Sequence, residues 1–142
     1  MKTEEEPHKI VLYMATSLAK YYMDELVDWN RAIASYLEEL NEFEIKLGEV
    51  IQRNTIPNIA AKVEEQQNKL NQVSGKFHSL PGLIQQQKIM LKTDNAFIED
   101  ALLTAETEKQ QNELRRIMQQ TEKEYIEKKH ECNNFLSGTM KK

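Results

Sequence analysis

The chain has 142 residues, of which 39% are hydrophobic and 30% are charged, and its formal net charge is -4. Only four Gly and three Pro occur, so the composition favours long helices over turns. Basic residues alternate with acidic ones and do not cluster, which excludes a basic surface for nucleic acid, and no nucleic-acid partner is expected.

The single cysteine and the start of the chain indicate a cellular compartment. Cys132 has no second cysteine with which to form an internal disulfide, and the acidic residues 1–6 do not resemble a secretory signal. Both features predict an intracellular protein. The longest apolar stretch, Ile10 to Ala19, is shorter than the roughly 20 residues of a membrane-spanning helix and lacks the basic face of a surface anchor. No transmembrane segment is therefore expected.

The first predicted element is a long helix over residues 7–53, preceded by a flexible stretch at 1–6. Its apolar residues recur in alternating steps of four and three, which is the spacing of a coiled-coil seam. Aromatic rings occupy one seam position and aliphatic side chains the other. The seam residues predicted to contact partner helices are Tyr22, Leu26, Trp29, Ile33, Tyr36, Leu40, Phe43 and Leu47. Bulky rings suit a bundle of three or more helices better than a two-stranded dimer, which favours a hetero-oligomer.

A second helix is predicted over residues 57–91, after a short loop that returns the chain antiparallel and in which Thr55 is the expected N-cap. Its seam has the same spacing and is interrupted by Gln66 and Gln87. Pro81 predicts a kink or a break, with Ser79 capping the restart. The residues of this seam predicted to contact partners are Leu70, Val73, Phe77, Leu80 and Ile84.

The third predicted helix covers residues 94–136, with Thr93 and Asp94 as candidate caps, and is followed by a flexible tail at 137–142. Its first turns carry apolar residues expected on one face, namely Phe97, Ile98, Leu102 and Leu103. Beyond Ala105 apolar residues become sparse and are separated by glutamines and by balanced Glu and Lys. This composition predicts a solvated or weakly packed helix.

The sequence holds no motif that indicates chemistry. His130 and Cys132 are two residues apart, which places them on different faces of a helix, and no further His or Cys nearby completes a zinc site. His78, next to Phe77, is expected at a core boundary. Carboxylates and Gln pairs are spread along polar helix faces. We therefore expect no catalytic, cofactor-binding or metal-binding residues, and no small-molecule substrate.

The run from Tyr21 to Leu47 resembles the coiled-coil region of the fifty-eight-kilodalton FG nucleoporin, which has a Tyr-Phe pair and then aromatic, Leu, Tyr and acidic residues at matching steps. The segment Leu70 to Leu80 is similar to the next helix of that family. The resemblance covers about Tyr21 to Leu91. It implies a subunit of the coiled-coil heterotrimer that lines the central transport channel of the nuclear pore, with the seam residues facing partner helices. The chain has no Phe-Gly dipeptide, so the docking of transport receptors is not encoded in it.

The sequence thus predicts an all-α protein of long helices, an extended coiled coil or helical hairpin, that acts as a non-enzymatic subunit of a heteromeric coiled-coil complex. The nuclear pore is the first expected location. The alternative is a subunit of a vesicle or lysosome-related organelle biogenesis complex, or of a kinetochore complex. A third hypothesis, an enzyme or ligand-binding bundle, predicts a compact monomer with an inaccessible Trp29.

Overall fold

In the computed structural model of the chain, residues 2–53, 56–93 and 96–140 are described, with side chains placed for 18–53, 56–93 and 96–139. Three long helices form most of the fold: α1 (Lys2–Arg53), α2 (Ile59–Met90) and α3 (Ala105–Met140). The predicted all-α class with long helices is confirmed. Helix α1 includes residues 2–6, and α3 includes residues 137–140, whereas these stretches were predicted to be flexible.

The loop before α2 ends at Asn58, whose φ of 68° is the left-handed conformation that Asn tolerates better than most residues. The predicted cap Thr55 lies outside the described residues.

Helix α2 continues through Pro81, so the break offered as one outcome is wrong. Ser79 caps no new helix, because its hydroxyl donates a 2.8 Å hydrogen bond to the carbonyl of Lys76 in the preceding turn.

A helix was predicted over the segment between α2 and α3, but this segment is mostly not α-helical. Two short antiparallel strands, β1 (Lys92–Thr93) and β2 (Ala96–Phe97), are followed by a 3₁₀ helix at Asp100–Leu102. The apolar residues 97, 98, 102 and 103 therefore do not share one helix face, and Leu102 is exposed. The candidate cap Asp94 lies outside the described residues.

Helix α3 begins at Ala105, and Thr104 acts as its N-cap. The Thr104 hydroxyl accepts a 3.1 Å hydrogen bond from the backbone N–H of Thr107. Glu106 and Glu108 follow in the first turn, where negative charge complements the helix dipole. A helix start at 94 was therefore wrong, and the chain uses the next suitable threonine.

The chain divides into two compact units, each of which takes a segment from all three helices. The first unit combines Met1–Arg31 with Pro81–Arg116, and the second combines Ala32–Leu80 with Ile117–Lys142. The buried apolar residues of the first unit are Ala19, Leu26, Ile84, Leu91 and Leu114. Those of the second are Ile33, Leu40, Phe43, Leu47, Val50, Ile59, Val63, Leu70, Val73, Phe77, Leu80, Met118, Tyr125, Cys132 and Leu136.

Contacts within the second unit give the directions of its helices. Tyr36 contacts Glu122, and further along α1 Glu39 contacts Lys129, so α1 and α3 run parallel there. Lys69 pairs with Glu131, and the later Lys76 pairs with the earlier Glu124, so α2 runs antiparallel to α3. The second unit is consequently an up-down-up bundle of three helices.

Helix α3 is packed in both units, which corrects the prediction of a solvated or weakly packed helix. Its buried positions follow one four-three register through Thr107, Gln111, Leu114, Met118, Thr121, Tyr125 and Cys132. Several of these residues are polar or small. The seam of α3 was missed in the sequence analysis because only the spacing of apolar residues was considered there, and several buried positions of α3 carry polar residues.

Candidate functional site

The seam residues predicted to face partners lie mostly in the interior of the chain itself. Within their own units, the buried members are Leu26, Ile33, Leu40, Phe43, Leu47, Leu70, Val73, Phe77, Leu80 and Ile84. Tyr22, Trp29 and Tyr36 are half-buried. The seam therefore stabilises the chain's own helix packing, at about 1.5–3 kcal/mol for each large side chain removed from water. Its contact with partner helices stays a prediction.

Three aromatic rings, one from each helix, meet at the centre of the second unit. Tyr36, Phe77 and Tyr125 have ring centroids 5.0–5.8 Å apart, and Phe77 lies edge-on to Tyr125. Such offset and T-shaped pairs add about 0.5–1.5 kcal/mol to the burial of the rings. The heptad aromatic at position 36 thus finds its neighbours on α2 and α3 of the same chain.

Two tyrosine–glutamate hydrogen bonds link α1 and α3 in the second unit, one with the tyrosine on α1 and one with the tyrosine on α3. Tyr36 donates to Glu122 at 2.6 Å, and Tyr125 donates to Glu39, whose carboxylate also accepts from Lys129 at 3.1 Å. Burial and the hydrogen bond to Glu122 raise the pKa of Tyr36 to about 12. The hydrogen bonds from Tyr125 and Lys129 lower the pKa of Glu39.

The edge between α2 and α3 is closed by ion pairs. Lys69 lies 3.1 Å from Glu131, and Lys76 lies 2.5 Å from Glu124. These lysines are seven residues apart and so occupy the same face of α2, the face that lies along α3. Partly exposed pairs of this kind contribute about 0–1 kcal/mol each, and their positions show that α2 and α3 are neighbours in the second unit.

The edge between α1 and α2 is different, because none of the side-chain hydrogen bonds and ion pairs described for the second unit joins these two helices. A groove of about 200 Å³ opens there instead. Its lining residues are Leu37, Leu40, Asn41, Glu44, Leu47, Gln67, Leu70, Asn71, Ser74 and His78. Sequence periodicity placed Leu40, Leu47 and Leu70 in the seam, and all three are buried, so the accessible lining of the groove is mainly polar.

The first unit contains a buried polar layer where the sequence indicated polar helix faces. Gln87 and Gln111 are both fully buried, and the Gln87 Nε2 donates to the Gln111 Oε1 at 3.0 Å and to the carbonyl of Thr107 at 2.9 Å. The Gln111 Nε2 in turn donates to the Glu25 carboxylate at 3.1 Å. The Gln87 Oε1 is buried without a hydrogen-bond partner among the described residues, but a shift of the helices would leave more of these amide groups unpaired, which favours one helix register.

An ion pair closes the side of this layer. Arg115 donates two hydrogen bonds to the two carboxylate oxygens of Glu25, at 2.8 and 2.5 Å. Partial burial raises the pKa of Glu25, but the hydrogen bonds from Arg115 and Gln111 outweigh it and lower the pKa overall. This bidentate pair links α1 to α3 within the first unit, as the tyrosine–glutamate pairs do within the second.

The first unit also has an open groove beside α1 and α2, lined by Met23, Gln85, Lys88, Ile89 and Lys92. Ile89 is 64% exposed, although it is a large aliphatic residue. Its exposure could have been predicted from the sequence, because Ile89 lies between the seam positions Gln87 and Leu91 and so points away from the seam. In the sequence analysis, an apolar residue off the seam was not treated as a surface feature.

Reactive groups in the described parts of the chain are few and scattered. Cys132 is buried, and burial raises the pKa of its thiol to about 11. His130 is exposed and lies 3.3 Å from the amide of Asn134. Among the residues with described side chains, no group of three His, Cys, Asp or Glu could hold a metal ion. Across the described helices, none is long and apolar enough to cross a membrane.

Comparison of the chain with protein-family models, with curated proteins and with solved structures gave no match.

Proposed function

We propose that the chain is a non-enzymatic structural subunit that binds partner proteins through the outer surface of its helices. The observation that carries this proposal is the exposure of large apolar side chains in the first unit after its seam has been buried. Ile89 and Leu102 are 64% and 66% exposed, and Tyr21, Leu83 and Met90 are also exposed. Ile89 shares an open groove with the half-buried Met23 and with Gln85, Lys88 and Lys92, and such a mixed apolar and polar surface suits a protein partner.

The experiment compares two exposed isoleucines. Ile89→Glu places a charge in the groove of the first unit, while Ile126→Glu places the same charge on α3 in the second unit, where Ile126 is 60% exposed. Tagged wild-type chain and both variants are isolated from the native source under mild conditions. We expect partner proteins to remain with wild type and Ile126→Glu and to be lost from Ile89→Glu, with equal helix content by circular dichroism.

Retention of the same partners by Ile89→Glu at wild-type levels would contradict the proposal. Exposed residues are the better choice for this test than Trp29 or Tyr36. Tyr36 belongs to the aromatic cluster, so its substitution destabilises the fold. A variant at this position would then lose its partners whether or not Tyr36 contacts them.

The specific complex is proposed from the nucleoporin resemblance. A subunit of the central-channel heterotrimer locates to the nuclear rim, and the absence of Phe-Gly dipeptides limits its role there to anchoring and orienting partners. A subunit of an organelle biogenesis complex gives cytoplasmic puncta, and one of a kinetochore complex gives centromeric foci. Imaging of a fluorescently tagged chain distinguishes these three outcomes.

A further inference from the structure

We infer that the open groove of the first unit binds an acidic amphipathic helix of a partner protein, in which apolar residues are flanked by Asp or Glu. The inference rests on the proposed function and deepens it, since it gives the chemistry of the segment that occupies the same surface. We call this surface the Ile89 groove. The described residues that line it are Met23, Gln85, Lys88, Ile89 and Lys92.

The apolar part of the Ile89 groove is accessible to a partner. Ile89 is 64% exposed on α2, and Met23 of α1 is half-buried, so the core of the first unit covers neither side chain fully. The space beside them measures about 480 Å³. A methionine adapts its shape to the side chain that it meets, and an exposed isoleucine gains free energy when a partner covers it. Contact with both residues therefore provides affinity.

The residues of the groove follow the direction of α2. Gln85, Lys88 and Ile89 lie on one face of the helix, at the spacing i, i+3 and i+4. Lys92 continues the line beyond the end of α2, where its pairing with Phe97 in the two-stranded sheet holds it in place. The Lys92 Nζ lies 4.8 Å from the centroid of the Phe97 ring. A linear groove of this kind suits a helix, which presents apolar residues at the same spacing.

The charge on α2 indicates an acidic occupant. Both charged residues in the described lining of the Ile89 groove are lysines, Lys88 and Lys92. Residues 66–93 contain two further lysines and no Asp or Glu. Those two, Lys69 and Lys76, pair with glutamates of α3 in the second unit. The Lys88 ammonium makes no ion pair with any residue whose side chain is described. A carboxylate that approaches Lys88 therefore displaces no ion pair described in the first unit.

Helix α1 adds positive charge beside the groove. Lys20 is exposed and precedes Met23 by three residues, which places both on one side of α1. Asp24 follows Met23 but lies about 100° further around the helix, and it is not among the described lining residues. Carboxylates on either side of an apolar residue thus complement the lysines of both helices, which favours an acidic helix and orients it.

The first test uses two fluorescent peptides of about 20 residues, each about 30 Å long as a helix. Both carry Leu at steps of three and four, and one has Glu and its twin has Lys at the positions that flank the leucines. Binding to the full chain is measured by fluorescence anisotropy. We expect the Glu peptide to bind at least about tenfold more tightly than the Lys peptide, because like charges across an interface repel. Equal binding of the two peptides would overturn the inference.

Two charge reversals on α2 provide the matched control. Lys88→Glu alters the groove, whereas Lys62→Glu makes the same change at an exposed position of α2 in the second unit. Lys88→Glu is expected to weaken binding of the Glu peptide about tenfold and to strengthen binding of the Lys peptide. The gain for the Lys peptide distinguishes a change of charge from a loss of fold. Lys62→Glu should change either affinity less than about twofold, and equal effects of the two variants would contradict the assignment.

Anionic vesicles test a membrane as the alternative occupant. The full chain is sedimented with vesicles that contain phosphatidylserine, and we expect no binding that depends on Lys88. Vesicle binding that Lys88→Glu abolishes would assign the groove to a membrane surface and overturn the inference. If the peptides fail to discriminate but Ile89→Glu still loses native partners, the proposed function stands without this partner chemistry.

Discussion

The hydroxyl of Tyr36 on α1 donates a 2.6 Å hydrogen bond to the Oε2 of Glu122 on α3. One of the heptad aromatic residues of α1 therefore contributes both the packing of its ring and a specific hydrogen bond to the neighbouring helix α3. Tyr125 makes the converse contact from α3 to Glu39 on α1. The register of the two helices in the second unit is consequently fixed by rings and carboxylates together.

Removal of the Tyr36 hydroxyl is the simplest test of this contact. Tyr36→Phe keeps the ring packing but leaves the Glu122 carboxylate without its donor, so we expect the free energy of unfolding to fall by about 1.5 kcal/mol. Urea denaturation followed by circular dichroism measures the change. Tyr21→Phe is the control, since Tyr21 is 58% exposed, and it should leave the stability unchanged. An unchanged midpoint for Tyr36→Phe would show that the hydrogen bond does not form in solution.

Alkaline pH should destabilise the chain through the same residue. The native pKa of Tyr36 is raised from 10.0 to about 12. Between these values tyrosine is ionised in the unfolded chain but protonated in the folded one, so the unfolded state binds fewer protons and the free energy of unfolding falls as pH rises. Urea midpoints measured at several pH values should decline over this range, and less steeply in Tyr36→Phe. Identical slopes for the two proteins would argue against the assignment.

The polar layer of the first unit predicts energetic coupling between Gln87 and Gln111. Gln87→Met leaves the Gln111 Oε1 and the carbonyl of Thr107 without their donor, whereas the double change to Met also removes one of these acceptors. We expect the double variant to be less destabilised than the sum of the single variants, by about 0.5–2 kcal/mol. Gln87→Met combined with Gln72→Met, at an exposed position, should be additive. Additivity in the first pair would mean that the amides are not in contact.

Cys132 should be unreactive in the folded chain. Burial and a thiol pKa of about 11 both reduce the thiolate at neutral pH. Reaction with a thiol reagent should be at least about a hundredfold slower than for a cysteine placed at the exposed Gly138 in a Cys132→Ser background, and should accelerate in denaturant. Similar rates for both cysteines in the absence of denaturant would place Cys132 at the surface.

The helical class and the seam of α1 could be predicted from sequence because the apolar residues of α1 keep one register. The packing of α3 could not be predicted from apolar periodicity, since the polar residues Gln111 and Thr121 occupy core positions. The Gln111 amide is satisfied by tertiary partners, and the Thr121 hydroxyl donates to the carbonyl of Ile117 in the preceding turn. The start of α3 was assigned too early because Thr93 and Asp94 offer the same capping chemistry as Thr104. Local sequence alone does not decide between such caps.

The candidate surfaces were less predictable than the fold. The seam indicated helix contacts correctly, but sequence does not say whether the partner helices come from the same chain or from another. The importance of Ile89 became clear only from the structure, in which this aliphatic side chain is 64% exposed beside Met23. Which helix faces are covered depends on pairs distant in sequence, such as Lys69 with Glu131 in the second unit.

The central claim is that the seam of α1 is buried against the other helices of the same chain. The outer surface of the helices is then the part that binds partners. The most direct test is the thermal midpoint of the purified chain, measured over a wide range of protein concentration together with its mass by sedimentation equilibrium. Burial of the seam within one chain predicts a mass of 16.6 kDa and a thermal midpoint that does not depend on protein concentration. A multiple of that mass, with a midpoint that rises with protein concentration, would show that the seam pairs between chains and would contradict this burial within one chain.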